Sequence, residues 1–235
     1  LMTMVVFWRQ VSHPLNKILW QFKALLTGKA YNRLYTEKID EVGILAHFFN
    51  ETTHSLERVT TDLKERRRLS SELNLARKIQ QDLLPKTMPV LPGLKIMAKT
   101  RPAAEIGGDA FDFLTRDGQT FFYLGDATGH GVPSGLIMMV ANTLLSTFVD
   151  ISKNTKDILV QTNKYLKPRI QKTMFMTLVM FRWVHATQEL FYTGAGHETL
   201  IHYHAATGKC DNIPSGGIAL AMLADNEKLL TEKQL

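Results

Sequence analysis

The spacing of apolar positions changes several times along this chain, and each change marks an element. Residues 1–8 are almost wholly apolar and end at Trp8, with Arg9 behind it. Leu15, Ile18, Leu19, Phe22 and Leu25 then recur at steps of three and four. That spacing predicts a helix with Pro14 in its first turn, closed by Gly28 and Lys29. A second helix is predicted from about Glu37 through Ile44, Leu45, Phe48 and Phe49 toward Leu56. Two short amphipathic helices cannot bury their faces alone, whereas pairing with a second copy in a four-helix bundle would bury them.

Residues 57–84 predict one long polar helix with a thin apolar stripe. Leu56, Val59 and Leu63 fit heptad spacing, and so do Leu69, Leu73, Ala76, Gln80 and Leu83. The step from Leu63 to Leu69 is six residues, so the second run is offset by three, an insertion that locally overwinds a coiled coil. Arg66, Arg67 and Arg68 lie at the offset, either as a solvated basic face or as part of an element able to change register. Pro85, Pro89 and Pro92 end the helix.

Beyond Pro92 the period shortens. Strands are predicted at residues 94–100, 110–114 and 120–124, then near 174–183, 189–193, 199–204 and 209–213. Arg116, Asp117 and Gly118 form the turn between the second and third. Helices are predicted at residues 133–149 and 156–172. A hairpin, two helices and further hairpins make an α+β pattern, with helices packed on antiparallel sheet. The expected organisation is therefore residues 1–8, a helical pair over 9–57, a linker helix over 58–92, and a main domain over 93–235.

Composition narrows the classes. The 235 residues are 45% hydrophobic and 21% charged, which excludes a disordered chain. One cysteine, Cys210, excludes an intramolecular disulfide framework and an all-cysteine zinc site, and fits a reducing compartment. The net charge of +6 suits a membrane surface or nucleic acid without choosing between them. No aromatic platform or recognition motif accompanies the basic helix, so nucleic acid is not an expected partner. Residues 1–8 are too few to span a bilayer, which takes about 20, but suit the end of a spanning helix. Trp8 would then lie at the interface and Arg9 on the cytoplasmic side. The chain opens on Leu1 rather than Met, and both ends are expected to be cuts.

Two segments carry candidate chemistry. In Ile106-Gly107-Gly108-Asp109 and in Gly125-Asp126-Ala127-Thr128-Gly129-His130-Gly131, an Asp stands beside glycines at a strand end. The turn near residue 117 lies 8 residues after Asp109 and 9 before Asp126, so the two are near cross-strand neighbours. Adjacent carboxylates repel unless a cation or proton lies between them, and an oxygen-only pair suits Mg2+ or Mn2+. Such ions activate water and neutralise phosphate. The other reading of the same residues is a hairpin with Asp at its turns.

Family resemblances sharpen this. Pro14-Leu15, Gly28-Lys29, the run from Asp40 to Ala46, and Phe48-Phe49-Asn50 resemble a HAMP signalling module. That resemblance implies a homodimer following a transmembrane helix, on the cytoplasmic side of a bacterial inner membrane. Residues 102–113 and 125–138 are similar to the two signature segments of SpoIIE-like protein phosphatases, within the metal-dependent PPM class. Residues 75–85, the turn from Thr193 to His197, and Pro214-Ser215-Gly216-Gly217 resemble further segments of that class. The resemblance implies an αββα sandwich and two Mn2+ or Mg2+ ions whose water attacks a phosphoserine or phosphothreonine. It implies that Asp126 bridges the ions and that the backbone carbonyl of Ala127 is a ligand. Asp109 would bind directly or through water. His130 would touch the phosphate or lie on the surface, His197 would be a turn or core residue, and Arg101 is a phosphate-binding candidate. The implied substrate is a phosphorylated regulatory protein, a STAS-type antagonist of an anti-sigma factor.

The family's later metal carboxylates have no counterpart after Ile218, and Asp225-Asn226-Glu227 does not fit them. The chain is expected to stop before them, which leaves a weak or silent catalyst at this length. Two other readings remain. One is a non-catalytic relay dimer with a degenerate phosphatase domain. The other is a diguanylate cyclase, suggested by Gly107-Gly108-Asp109-Ala110-Phe111, although Ala110 replaces the glutamate that chemistry requires.

Overall fold

The computed structural model describes residues 2–35, 40–101 and 106–235. The expected helix start near Glu37 and the segment 102–105 lie outside the described residues. The chain divides into two compact units, 1–71 and 72–235, with the division inside one helix.

In the first unit, α1 (Met2–Phe7) passes through a π-helical stretch, Trp8–Ser12, into α2 (His13–Leu26). The π turn directly precedes Pro14, whose missing N–H breaks the ordinary helical ladder. Amides of Gly28 and Lys29 return to the carbonyls of Leu25 and Ala24 and close the helix. The next helix, α3 (Glu41–Leu83), starts where the Asp40 carboxylate accepts from the Gly43 amide. Ile18, Leu34, Ala46 and Phe49 form the small core, and Phe22 meets Phe49 edge-on at 4.7 Å. Asn50 holds the connecting chain, accepting from Leu34 N–H at 2.9 Å and donating to Leu34 C=O at 2.8 Å. No residue of α1 is buried.

The two helices expected on either side of residue 57 are one. Arg66, Arg67 and Arg68 lie inside α3 as exposed helical residues, so the offset in the apolar stripe interrupts no backbone hydrogen bonding. Leu56, Val59, Leu63 and Leu69 are exposed, whereas Leu73 and Ala76 are half-buried and Gln80 is buried.

In the second unit, β1 (Asp109–Arg116), β2 (Gln119–Ala127), β3 (Met176–Val184), β4 (Glu189–Ala195) and β7 (Lys233–Gln234) form one antiparallel sheet in that order. A separate hairpin pairs β5 (Leu200–His204) with β6 (Lys209–Ile213). The β1–β2 turn has two central residues, Asp117 and Gly118, both with positive φ, the twist-matched solution for a two-residue hairpin. Helices α4 (Val132–Val149) and α5 (Thr155–Leu166) pack on the sheet. Met138, Leu145, Leu159, Leu178 and Met180 are central to this core. Asn154 caps α5 by accepting from the Asp157 amide.

The α+β class holds. Three elements of this unit differ from expectation, among them the two-residue β7, for which no strand was predicted. Residues 94–100 form no strand: Leu94 makes a single bridge back to Leu91, and among the described residues no strand pairs with 95–100. The helix expected to reach residue 172 ends at Leu166, with a 3-10 turn at Lys167–Arg169, because Pro168 cannot continue an α-helical ladder. Among the described residues Val132–Val149 is long and apolar enough to cross a membrane, but half of it is buried in this core.

Candidate metal centre

The β1–β2 hairpin fixes the site. Its two-residue turn sets a register in which Asp109 stands directly opposite Asp126. Their side chains share one face of the sheet with Phe111 and Leu124, two residues further along. The opposite face, with Ala110 and Gly125, turns toward the core and is buried.

Backbone contacts draw the two loops together. Ala127 N–H donates to Gly108 C=O at 3.1 Å. A Cβ on Gly108 would stand 2.5 Å from the Ala127 carbonyl oxygen and 2.9 Å from Asp126 Oδ1. Only glycine permits that approach, and it shows that the Asp126 carboxylate and the Ala127 carbonyl flank the same point. Thr128 anchors the far side of its loop through mutual hydrogen bonds with Phe175. Thr100 Oγ1 donates to Asp109 Oδ2 at 3.2 Å.

Burial, reinforced by the Asp109 charge, pushes the Asp126 carboxyl above the usual carboxylate range. His197 opposes that rise and Glu198 adds to it. Burial lowers the His197 imidazole against the pull of Glu198, Asp126 and Asp109. Among the described residues no lysine or arginine forms an ion pair with Asp109 or Asp126. Two uncompensated carboxylates beside a backbone carbonyl form an oxygen donor set that fits a hydrated Mg2+ or Mn2+, an ion held by one or two carboxylates with waters completing its shell. Among the described residues no third His, Cys, Asp or Glu joins them in one cluster.

The two aspartates line a cavity of 570 Å³ that also takes in Lys99, Arg101, His197 and Glu198, above a floor of Phe113, Phe122 and Phe181. Arg101, the phosphate-binding candidate, therefore lies in the same cavity as the two aspartates. His130 is exposed and does not line this cavity. His197 lies half-buried in the turn after β4, shares a hydrogen bond with Thr177 Oγ1 at 3.1 Å, and also lines the carboxylate cavity. The strand order explains this, because Thr177 pairs with Asp126 across β2 and β3 and the turn after β4 folds back over that end. Glu198 went unnoticed in the sequence, although its place just after the Gly194–Gly196 turn was a usable signal.

The family model described as Stage II sporulation protein E (SpoIIE) matches residues 116–235. That span contains Asp126 and Ala127 and begins after Asp109. The chain is 23% identical over 157 residues to the phosphoserine phosphatase RsbU of Bacillus subtilis, covering 67% of this chain and 47% of that protein. It is 26% identical over 215 residues to protein IcfG of Synechocystis, covering 80% of this chain and 34% of that protein. The chain therefore spans less than half the length of these curated relatives. Among solved structures, the SiaA-PP2C domain of Pseudomonas aeruginosa superposes with a TM-score of 0.57 at 16% identity, covering 73% of this chain and 68% of that one, which establishes a shared fold.

Proposed function

The chain belongs to the SpoIIE family, and from that premise we propose that it is the signalling-phosphatase part of a regulated bacterial protein. The reaction is metal-dependent hydrolysis of phosphoserine or phosphothreonine. The observation that carries this reading is the cross-strand pairing of Asp109 with Asp126, beside the Ala127 carbonyl.

In this reading Asp126 and Asp109 hold the metal through carboxylate oxygens, and Ala127 contributes its backbone carbonyl. Two ions, Mn2+ or Mg2+, are proposed, which Asp126, Asp109 and the Ala127 carbonyl would hold. When bound, such ions supply Lewis acidity toward a phosphoryl oxygen and an ionised water at neutral pH. The chain's own residues do the rest. Lys99 and Arg101 bring positive charge to the cavity that must receive a phosphate dianion. The Gly108 and Ala127 backbones hold the two carboxylate loops in contact, so the donors are placed before substrate arrives.

The proposed substrate is a phosphorylated regulatory protein of the STAS type. Residues 9–57 are proposed to act as a HAMP-like module and α3 as the relay from it. The exposed Leu56, Val59, Leu63 and Leu69 support a homodimer through this helix. The exposed apolar residues of α1, with Trp8 and Arg9 after them, support a place at the cytoplasmic side of the inner membrane.

One observation favours a second reading, a non-catalytic relay: among the described residues no third His, Cys, Asp or Glu joins the two carboxylates in a cluster able to hold a metal ion. Phosphate release from a phosphoserine peptide separates the two. The phosphatase reading expects Mn2+-dependent release, abolished by EDTA and by Asp126→Asn. A folded chain that binds Mn2+ and releases no phosphate supports the relay.

A further inference from the structure

Gln80 is a polar residue buried to 4% exposure near the end of a helix whose other late residues are exposed or half-buried. A buried amide without partners is costly, so its partners matter. They are both backbone groups of one glycine: Gln80 Nε2 donates to Gly107 C=O at 2.6 Å, and Gly107 N–H donates to Gln80 Oε1 at 3.0 Å. Gly107 is followed by Gly108, whose carbonyl accepts from Ala127 N–H, and then by Asp109. The helix is thus joined to both carboxylate loops by a short chain of hydrogen bonds. All of these residues belong to the second compact unit.

Helix α4 closes the clasp from its other side. A Cβ on Gly135, in the first turn of α4, would stand 3.2 Å from Gln80 Nε2 and would collide with Ile106 Cγ2. The clasp is therefore enclosed by α3, by the loop before β1, and by α4.

We propose that Gln80 is a positioning residue through which α3 holds the Gly107–Asp109 loop in metal-binding register, and so gives the helix control of the site. This rests on the reading of Asp109 and Asp126 as metal ligands. An amide is the group the geometry requires, because one side chain must both donate to a carbonyl and accept from an N–H. An ionised glutamate in its place could accept but not donate, and would set a carboxylate against the Gly107 carbonyl. Rotating or lifting the last turns of α3 withdraws the amide and frees the loop without touching either carboxylate.

The test uses the full chain with Gln80→Leu, Gln80→Glu and, as a control, Gln81→Leu at the exposed neighbouring position. Circular dichroism first establishes that each is folded, and Gln80→Glu preserves the side chain's size. Mn2+ binding is then titrated by electron paramagnetic resonance, and amide exchange at Gly107 and Ala127 is followed by NMR. Both Gln80 variants are expected to weaken Mn2+ binding and speed exchange at those two amides by about tenfold, the scale of one to two net hydrogen bonds, with the control unchanged. Unchanged exchange and Mn2+ affinity in both variants overturn the role of Gln80 and leave the phosphatase reading standing. Faster exchange in variants of a chain whose wild type binds no Mn2+ overturns the metal reading and retains Gln80 as the loop's anchor.

Discussion

Replacing Glu232 with alanine removes the acceptor on which two parts of the second unit, β3 and the start of α5, converge. Its carboxylate receives Arg182 Nε at 3.1 Å and Nη2 at 2.7 Å, from β3. It also receives the Thr155 amide and hydroxyl, each at 2.8 Å, at the start of α5. Thr155 Oγ1 in turn lies 2.7 Å from Thr193 Oγ1 in β4. The ion pair is largely enclosed, with side-chain exposures of 13% for Arg182 and 18% for Glu232. Truncation leaves a guanidinium without its partner in a desolvated setting, for which about 3–5 kcal/mol is the usual loss. For a unit of 150–250 residues, that lowers Tm by about 6–20 °C.

The double variant Arg182→Met/Glu232→Ala removes both charges. It is expected to recover part of the loss, because the largest penalty belongs to the charge left alone. Burial would raise the Glu232 carboxyl, but the hydrogen bonds from Arg182 and Thr155 outweigh it and hold the group below the ordinary glutamate value of 4.5. A depressed carboxyl stabilises the fold above its unfolded pKa and loses that contribution as pH falls through the folded value. Thermal unfolding from pH 7 to pH 3 should therefore show wild type losing stability below about pH 4.5 more steeply than Glu232→Gln. A Tm change under about 2 °C for Glu232→Ala would refute the reasoning, since it would mean that solvent replaces the carboxylate at no cost.

Other outcomes rest on particular contacts. Burial raises the Asp112 carboxyl against the Phe113 amide and the Asn142 side chain, so its contribution is present in acid and lost as pH rises. Asp112→Asn is expected to raise Tm at pH 8, with the gain fading toward pH 4 in a thermal melt. Gly108→Ala places a methyl group 2.5 Å from the Ala127 carbonyl oxygen and is expected to weaken Mn2+ binding at least tenfold, about 1.4 kcal/mol, by titration. Leu56→Lys/Leu63→Lys puts charge into the exposed stripe of α3 and is expected to convert the proposed dimer to a monomer in sedimentation, leaving helix content unchanged.

The paired aspartates were legible because a two-residue turn and strict alternation leave few registers, and the observed register joins Asp109 to Asp126. The α+β class was legible for the same reason, since hairpins and helices announce themselves through local periodicity. The features that were not legible depend on distant partners. Residues 94–100 alternate like a strand, but a strand needs a neighbour, and among the described residues only Leu94 makes a bridge. The two-residue β7 is too short to carry a pattern and exists through pairing with Phe191 and Tyr192. Gln80 fits a heptad position by spacing, while its actual role is set by a glycine 27 residues later. His197 joins the site because β2, β3 and β4 lie side by side, an order that the sequence does not state.

The most direct measurement is the Mn2+ dependence of p-nitrophenyl phosphate hydrolysis by the folded chain and by its Asp126→Asn variant. Weak hydrolysis that saturates with Mn2+ is expected of the wild type, and its loss is expected of the variant, which retains its fold. Equal hydrolysis by both proteins, or hydrolysis indifferent to Mn2+ and EDTA, would contradict the assignment of Asp126 to a phosphatase metal centre.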